Sequence, residues 1–440
     1  MIAAGALSPS MTPSPRRPLV LLLCATALAI ATPLAAQEAE PLAAPVGSPL
    51  QPGVWRLAGT DPELPTADLD PLRALVGKAT VVGLGESVHT SGGYYETKHR
   101  LFRYLVEKLG FRVIAFETPW LDGETANAYV QSCDGDPDTA TAGFFSVWRS
   151  RELSSLIGWM CDWNRTHPKA KDRLSVYAFD IQNQAAQDTQ ALTDFLVRLG
   201  LDPASEAFAG LARCSPAEAA FRIARPHQDD AVRCREATAA IAELFATQSK
   251  AIVKKVGKSD FEWAKLRRAG LDAWMEQMFY AKHPEHWRSF AARDRGMAAV
   301  LLGIQAIRYP KSKIAVWAHN AHLAHDGTGW ETTVMGQHIT AALGSKYVVV
   351  GLASHQADID WAIIGGCGPS DPPSPGASEE VLHELGEEML LLDLRSTTLF
   401  EPGSEYELGW RTVVPARTFD ALVYLDHSRK MSPLAWPSCQ

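Results

Sequence analysis

The chain has no Gly-x-Ser-x-Gly run. Serine hydrolases of the α/β type carry their nucleophile on that strained elbow, so this route is disfavoured. It has no Gly-x-x-x-x-Gly-Lys-Ser/Thr phosphate loop, and Gly83-Leu84-Gly85 lacks the third glycine of a dinucleotide fingerprint. Cys-x-x-Cys is absent, which removes the common redox and zinc-knuckle signatures. Positive charge is not in excess: 42 Lys and Arg face 50 Asp and Glu, a formal net charge of −8. That balance argues against nucleic acid as a partner. Past the N-terminal segment, no stretch supplies the ~20 apolar residues that a bilayer span needs.

Residues 1–36 read as a secretory signal. Arg16 and Arg17 form its positive end, Leu19 to Ala31 its apolar stretch, and Leu34-Ala35-Ala36 a small-residue exit. Met11 is as good a start as Met1. Cleavage would leave a periplasmic or secreted chain beginning near Gln37, with no stable membrane insertion. Six cysteines would remain: Cys133, Cys161, Cys214, Cys234, Cys367 and Cys439. An even count in an exported protein points to disulfides. Neighbour pairing is expected, with Cys214 and Cys234 bridging within a helical segment.

What the chain does have is a set of apolar runs that finish on chemistry. Ala79 to Val82 runs into Gly83-Leu84-Gly85-Glu86-Ser87-Val88-His89. Arg112 to Phe116 ends on Glu117, and Leu174 to Phe179 ends on Asp180. Lys313 to Ala318 ends on His319, with His322 just behind. Carboxylates are seldom buried unless paired, and sites in open α/β sheets form where the carboxyl ends of strands converge. Each residue alone has a bland reading: Asp180 as a helix cap or turn residue, Glu117 as part of a Thr118-Pro119 loop, the histidines as satisfied turn residues. The recurrence at four strand ends is the stronger signal.

Tyr95, Phe102, Leu105, Val106 and Leu109 recur at helical spacing before Gly110, which predicts a βαβ unit. A second helix is expected over Arg151 to Asn164. Residues 37–64 read as a loose leader, and the core is expected from residue 65 to 440. Strand-like runs vanish over about 185–310, so a helical insertion is expected to cover the active end. Its last helix, Phe290 to Ile307, carries Met297, Leu301 and Ile304 on one stripe. Arg293 and Asp294 fall in its first turn, where Asp294 reads as a helix-start acid. Tyr347 to Leu352, Trp361 to Ile364, Met389 to Leu392 and Ala421 to Leu425 look like strands; residues 366–380 look like a loop. The fold class is α/β: a mixed, mostly parallel sheet flanked by helices, with a helical insertion covering the active end. Of the 13 tryptophans, Trp120, Trp148, Trp159, Trp163, Trp317 and Trp330 lie near the site segments. Each reads first as core, although some could line an apolar pocket.

A histidine three residues from a carboxylate suits general-base work. The acid fixes the imidazole tautomer and the other nitrogen deprotonates water. Glu117, His319 and His322 could stabilise an oxyanion or protonate a leaving alcohol. The natural reaction is hydrolysis of a small-molecule ester or amide, with no cofactor and no metal required. Three histidines and two glutamates also have zinc or iron chemistry, but no established local metal spacing. A metal-dependent peptidase or amidase of the Tiki type therefore stays open. So does a non-catalytic periplasmic protein that binds haem or a lipophile.

Gly85-Glu86-Ser87-Val88-His89, Tyr94 to Leu109, Phe116-Glu117, Phe179-Asp180, Arg293-Asp294 with Met297, Trp317 to His322, and Phe419 to Tyr424 together resemble the erythromycin esterase family. The resemblance spans about residue 65 to the end. It implies hydrolysis of a macrolide lactone or similar ester through water, without an acyl-enzyme. By motif, His89 takes the general base's place, Glu86 and Glu117 those of the essential acids, and His319 and His322 those of the paired histidines. Lys98, Asp180 and Arg293 are expected at the substrate. The family's resistance enzymes carry an arginine where this chain has Lys98, and often a glutamate where it has Gly93. Lysine keeps the charge and loses the bidentate fork, so these departures bear on the substrate.

Overall fold

The computed structural model describes residues 46–214, 228–281, 283–361 and 366–438. The expected signal segment lies outside them. The strands are β1 (Pro49–Gln51), β2 (Val54–Arg56), β3 (Val81–Leu84), β4 (Val113–Pro119), β5 (Ser175–Asp180), β6 (Ile314–Trp317), β7 (Tyr347–Trp361), β8 (Gly366–Pro369), β9 (Met389–Asp393), β10 (Tyr406–Leu408), β11 (Arg411–Val413) and β12 (Ala421–Ser428). The main sheet runs β1-β2-β9-β12-β7-β3-β6-β4-β5, with β8 on β7; β10 and β11 form a separate hairpin. From β12 to β5 all neighbours are parallel. β9, β2 and β1 are added antiparallel. The mixed, mostly parallel α/β class is the one expected.

Side chains of a strand alternate between faces. Val81, Val113, Tyr177, Ile314 and Val316 enter one core with the helices Ala185–Arg198, Lys258–Tyr280, Trp287–Arg308 and Met335–Leu343. Val82, Leu84, Ile114, Phe116, Val176 and Trp317 enter the other, under the helices Gly92–Leu109 and Arg151–Thr166. Both faces are covered, which is why these strands read as continuous apolar runs. Gly110, left-handed at φ 75°, ends the first helix as its position suggested.

Among the described residues, 185–308 hold helices and no strand. Cys214 is bonded to Cys234 and Cys133 to Cys161, the neighbour pairing expected; Cys367 is disulfide-bonded too. No helix among the described residues is long and apolar enough to cross a membrane.

Two expectations need correction. Part of the supposed loose segment 37–64 joins the sheet: β2 pairs with β9, and Val54 is fully buried. Its three-residue strands are too short to show a period. The supposed loop 366–380 contains β8 and the start of the helix Ser378–His383.

Candidate active site

β3, β6, β4 and β5 are consecutive in the sheet, and their carboxyl ends carry Glu86 and His89, His319, Glu117, and Asp180. Gly85 leaves room for the next layer. A Cβ there would lie 2.0 Å from Asn320 Oδ1, and the Asn320 amide in turn donates to Leu352 O at 2.8 Å. The site loop is thereby locked across β3, β6 and β7.

Glu86 is fully buried. One carboxylate oxygen lies 2.7 Å from His89 Nδ1 and the other accepts from Lys98 Nζ at 2.7 Å. Lys98 is also fully buried; it donates to Ala318 O at 3.2 Å and sits 4.6 Å from the Trp317 ring centroid. Burial lowers the Lys98 pKa, and Glu86 opposes that shift. The His89 ring meets Trp148 and His319 edge-on at 4.9 and 5.1 Å.

The second group centres on Arg293. Its guanidinium donates to Glu117 at 2.8 Å and to both oxygens of Asp180. Glu117 also accepts the His319 backbone N–H at 2.9 Å. Burial alone would raise the Glu117 pKa, but His322, Arg293 and His89 hold it well below the carboxylate range. His322 Nδ1 lies 2.8 and 3.0 Å from the two oxygens of Asp294, and Nε2 lies 3.0 Å from Arg293 Nη1 and 3.3 Å from Glu117. Burial opposes a charge on His322, but Asp294 and Glu117 outweigh it and raise the pKa to about 10. Glu117, Asp180 and Asp294 outnumber the one guanidinium, so a second cation is favoured there.

His319 differs from the role expected of it. Its Nε2 lies 2.9 Å from Ser87 O and its Nδ1 accepts the Ala321 N–H at 3.1 Å. Both nitrogens are thus committed to backbone in the neutral form. Burial, with His89 and His322 nearby, lowers its pKa to about 3. It clasps the two site loops together. Lys98 and Asp180 also depart from expectation: both are buried and neither lines the cavity, because each is turned inward onto an opposite charge. Arg293 does line it. Gly93 has no space for the family's glutamate, since a Cβ there would lie 2.4 Å from Ser428 Oγ.

Asp294 joins the candidate site although the sequence reads it as a helix-start acid. The helix starts at Trp287, so Asp294 lies beyond its first turn, 2% exposed, and accepts the Met335 N–H at 2.8 Å. The signal was available: Asp294 shares the helical stripe of Met297, Leu301 and Ile304, where an unpaired acid would be costly.

His89, Arg293, His319 and His322 border one open cavity of about 830 Å³. The His89 side chain is 23% exposed, against 13% for Arg293 and His322, so it is the most accessible of these three. Trp330 also borders the cavity, whereas Trp148 and Trp317 are core. Among the described residues, the group placed to share one metal ion is His355, His383 and Asp426, not the histidines of this site.

The model of the family described as erythromycin esterase matches residues 106–428. The chain belongs to the erythromycin esterase family. The matched span contains Glu117, Asp180, Arg293, Asp294, His319 and His322; Glu86, His89 and Lys98 precede it. The erythromycin esterase type II of Escherichia coli is 23% identical over 66% of this chain and 72% of its own. The putative hydrolase YbfO of Bacillus subtilis is 24% identical over 82% and 86%. Among solved structures, a Bacillus cereus protein superposes with a TM-score of 0.71 at 19% identity, covering 86% of this chain and 96% of its own. An erythromycin esterase variant in an open conformation gives 0.66 at 18% identity, over 85% and 97%. A succinoglycan biosynthesis protein gives 0.65 at 19%, over 86% and 96%. Membership of the erythromycin esterase family supports a hydrolase.

Proposed function

We propose that this erythromycin esterase family member hydrolyses an ester, a macrolide lactone or a related compound, with water activated by His89. The observation that carries the reading is the buried Lys98–Glu86–His89 chain opening onto the cavity. Lys98 donates to one oxygen of Glu86, and the other oxygen accepts the Nδ1 proton of His89. The Nε2 lone pair then takes a proton from water as the water oxygen bonds to the carbonyl carbon. Arg293 and the His322 imidazolium stabilise the oxyanion. The tetrahedral intermediate collapses, the ester C–O bond breaks, and His89 returns its proton to the departing alkoxide. Asp294, Glu117 and Asp180 hold the two cations in place, and His319 holds the loops.

A metal-dependent peptidase would need His89, His319 and His322 to converge on one ion. Instead His89 meets Glu86 through Nδ1, His319 has both nitrogens on backbone groups, and His322 meets Asp294 through Nδ1 and Arg293 and Glu117 through Nε2. The disulfides support an oxidising location, and export is proposed with them. The test is mass spectrometry of macrolides and simple esters incubated with purified protein, with and without chelator. A product heavier by one water and unaffected by chelator is expected. Turnover lost to chelator and restored by zinc would favour the metal enzyme; no turnover of any ester would remove the esterase reading.

A further inference from the structure

Three aromatic side chains stand out among the exposed large hydrophobics: Trp287 at 49%, Phe290 at 56% and Trp410 at 49%. All three border the same cavity, and Trp330 joins them. They come from separate segments: the start of the helix Trp287–Arg308, a short turn at Thr328–Trp330, and the tip of the β10–β11 hairpin. Exposed aromatics gathered around one opening are a recognition surface rather than chance.

The hairpin tip is built to present its tryptophan. Gly409 and Trp410 both have positive φ, 56° and 62°, the two-residue turn that suits hairpin twist. A bulky residue adopts that backbone rarely and at a cost. Gly409 donates its N–H to Glu379 Oε1 at 2.7 Å, and a Cβ on it would lie 3.1 Å from Ser87 Cβ. The tip is therefore anchored to the helix Ser378–His383 and lies close to the loop that carries Glu86 and His89.

Glu331 and Arg411 border the same cavity. A wholly apolar ligand would strip water from these charges without repayment. A wholly polar one would leave the indoles wet. A saturated ring with an apolar face and a hydroxylated edge satisfies both. We infer that the mouth of this cavity is a subsite for a glycosyl ring, gripped by Trp410 with Trp287 and Phe290, which holds the non-reacting part of the ester. The inference rests on the proposed esterase site. The ring could belong to a glycosylated lactone or to an acylated polysaccharide.

The test is a tryptophan-fluorescence titration of His89→Ala protein with erythromycin, with its sugar-free aglycone, and with an acetylated xylo-oligosaccharide. One glycosylated probe is expected to quench saturably, and the responsive probe names the source. Trp410→Ala and Trp287→Ala should each weaken binding about tenfold, the effect of roughly 1.4 kcal/mol. Trp410→Phe should restore most of it, and Val197→Ala, at an exposed apolar site elsewhere, should change nothing. Quenching by neither glycosylated probe, or equal binding of the aglycone, or indifference to both tryptophan variants, would overturn the inference. Hydrolysis of p-nitrophenyl acetate by the unmodified protein is read separately. Turnover without probe binding removes the subsite and keeps the esterase; binding without turnover of any ester does the reverse.

Discussion

Glu86→Gln removes a charge from the centre of the site while keeping the side chain's shape. Glu86 and Lys98 both show 0% side-chain exposure and lie 2.7 Å apart. The substitution leaves the ammonium with an amide oxygen, a carbonyl at 3.2 Å and the face of Trp317, and none of these neutralises it. Breaking a buried pair from one side costs about 3–5 kcal/mol. Removing both charges together, as in Glu86→Gln with Lys98→Met, should return stability to within about 1 kcal/mol of the starting protein, because neutral groups of similar volume replace a buried pair at little cost. Urea unfolding followed by tryptophan emission gives both values, provided the slopes agree. The double variant should still lose about 100- to 10,000-fold in kcat, since His89 no longer has a carboxylate on Nδ1. Two results would refute the reasoning: a single variant as stable as the parent, or a double variant as unstable as the single one. A stable double variant with parental kcat would remove the orienting role of Glu86.

Further expectations follow from the second charge group and the packing. The folded His322 pKa of about 10 lies above the usual 6.5. Its stabilisation is thus complete below pH 6.5 and is lost as the pH rises through about 10. Unfolding free energy measured across pH 6 to 10 should fall, and Asp294→Asn should flatten that slope; a flat profile in the parent protein would contradict the charged state. Gly93→Glu should fail to give folded protein by circular dichroism, because the space for a Cβ is taken by Ser428. Replacing Cys214 and Cys234 by serine opens a bridge spanning 20 residues. The loss should be about 3 kcal/mol in a thermal or urea melt.

The strands were legible because both sheet faces are buried. Apolar runs such as Ile314 to Trp317 stand out, and an acid or histidine at each end stands out more. The same chemistry explains why Glu86, His89, Glu117, His319 and His322 could be placed together before any fold was known. Depth and direction were not legible. Lys98 and Asp180 looked like substrate contacts, yet each turns inward to satisfy a buried opposite charge, which only the packing reveals. His319 resembled a proton donor, but two backbone groups distant in sequence or fixed by a turn occupy its ring. Asp294 was misjudged because the helix start was placed three residues late, which moved a mid-helix buried acid into the first turn. Residues 49–56 were missed because strands of three residues carry no readable alternation.

The most direct test of the central claim is hydrolysis in ¹⁸O-labelled water by the parent protein and by His89→Ala, on the best ester from the panel, with product mass as the readout. The account predicts one ¹⁸O in the acid product from the first turnover onward in the parent protein, unaffected by chelator, and no product above background with folded His89→Ala. Unlabelled acid in the first turnover would mean that a carboxylate of the protein attacks the ester. Parental rates in His89→Ala would mean that this histidine does not activate the water.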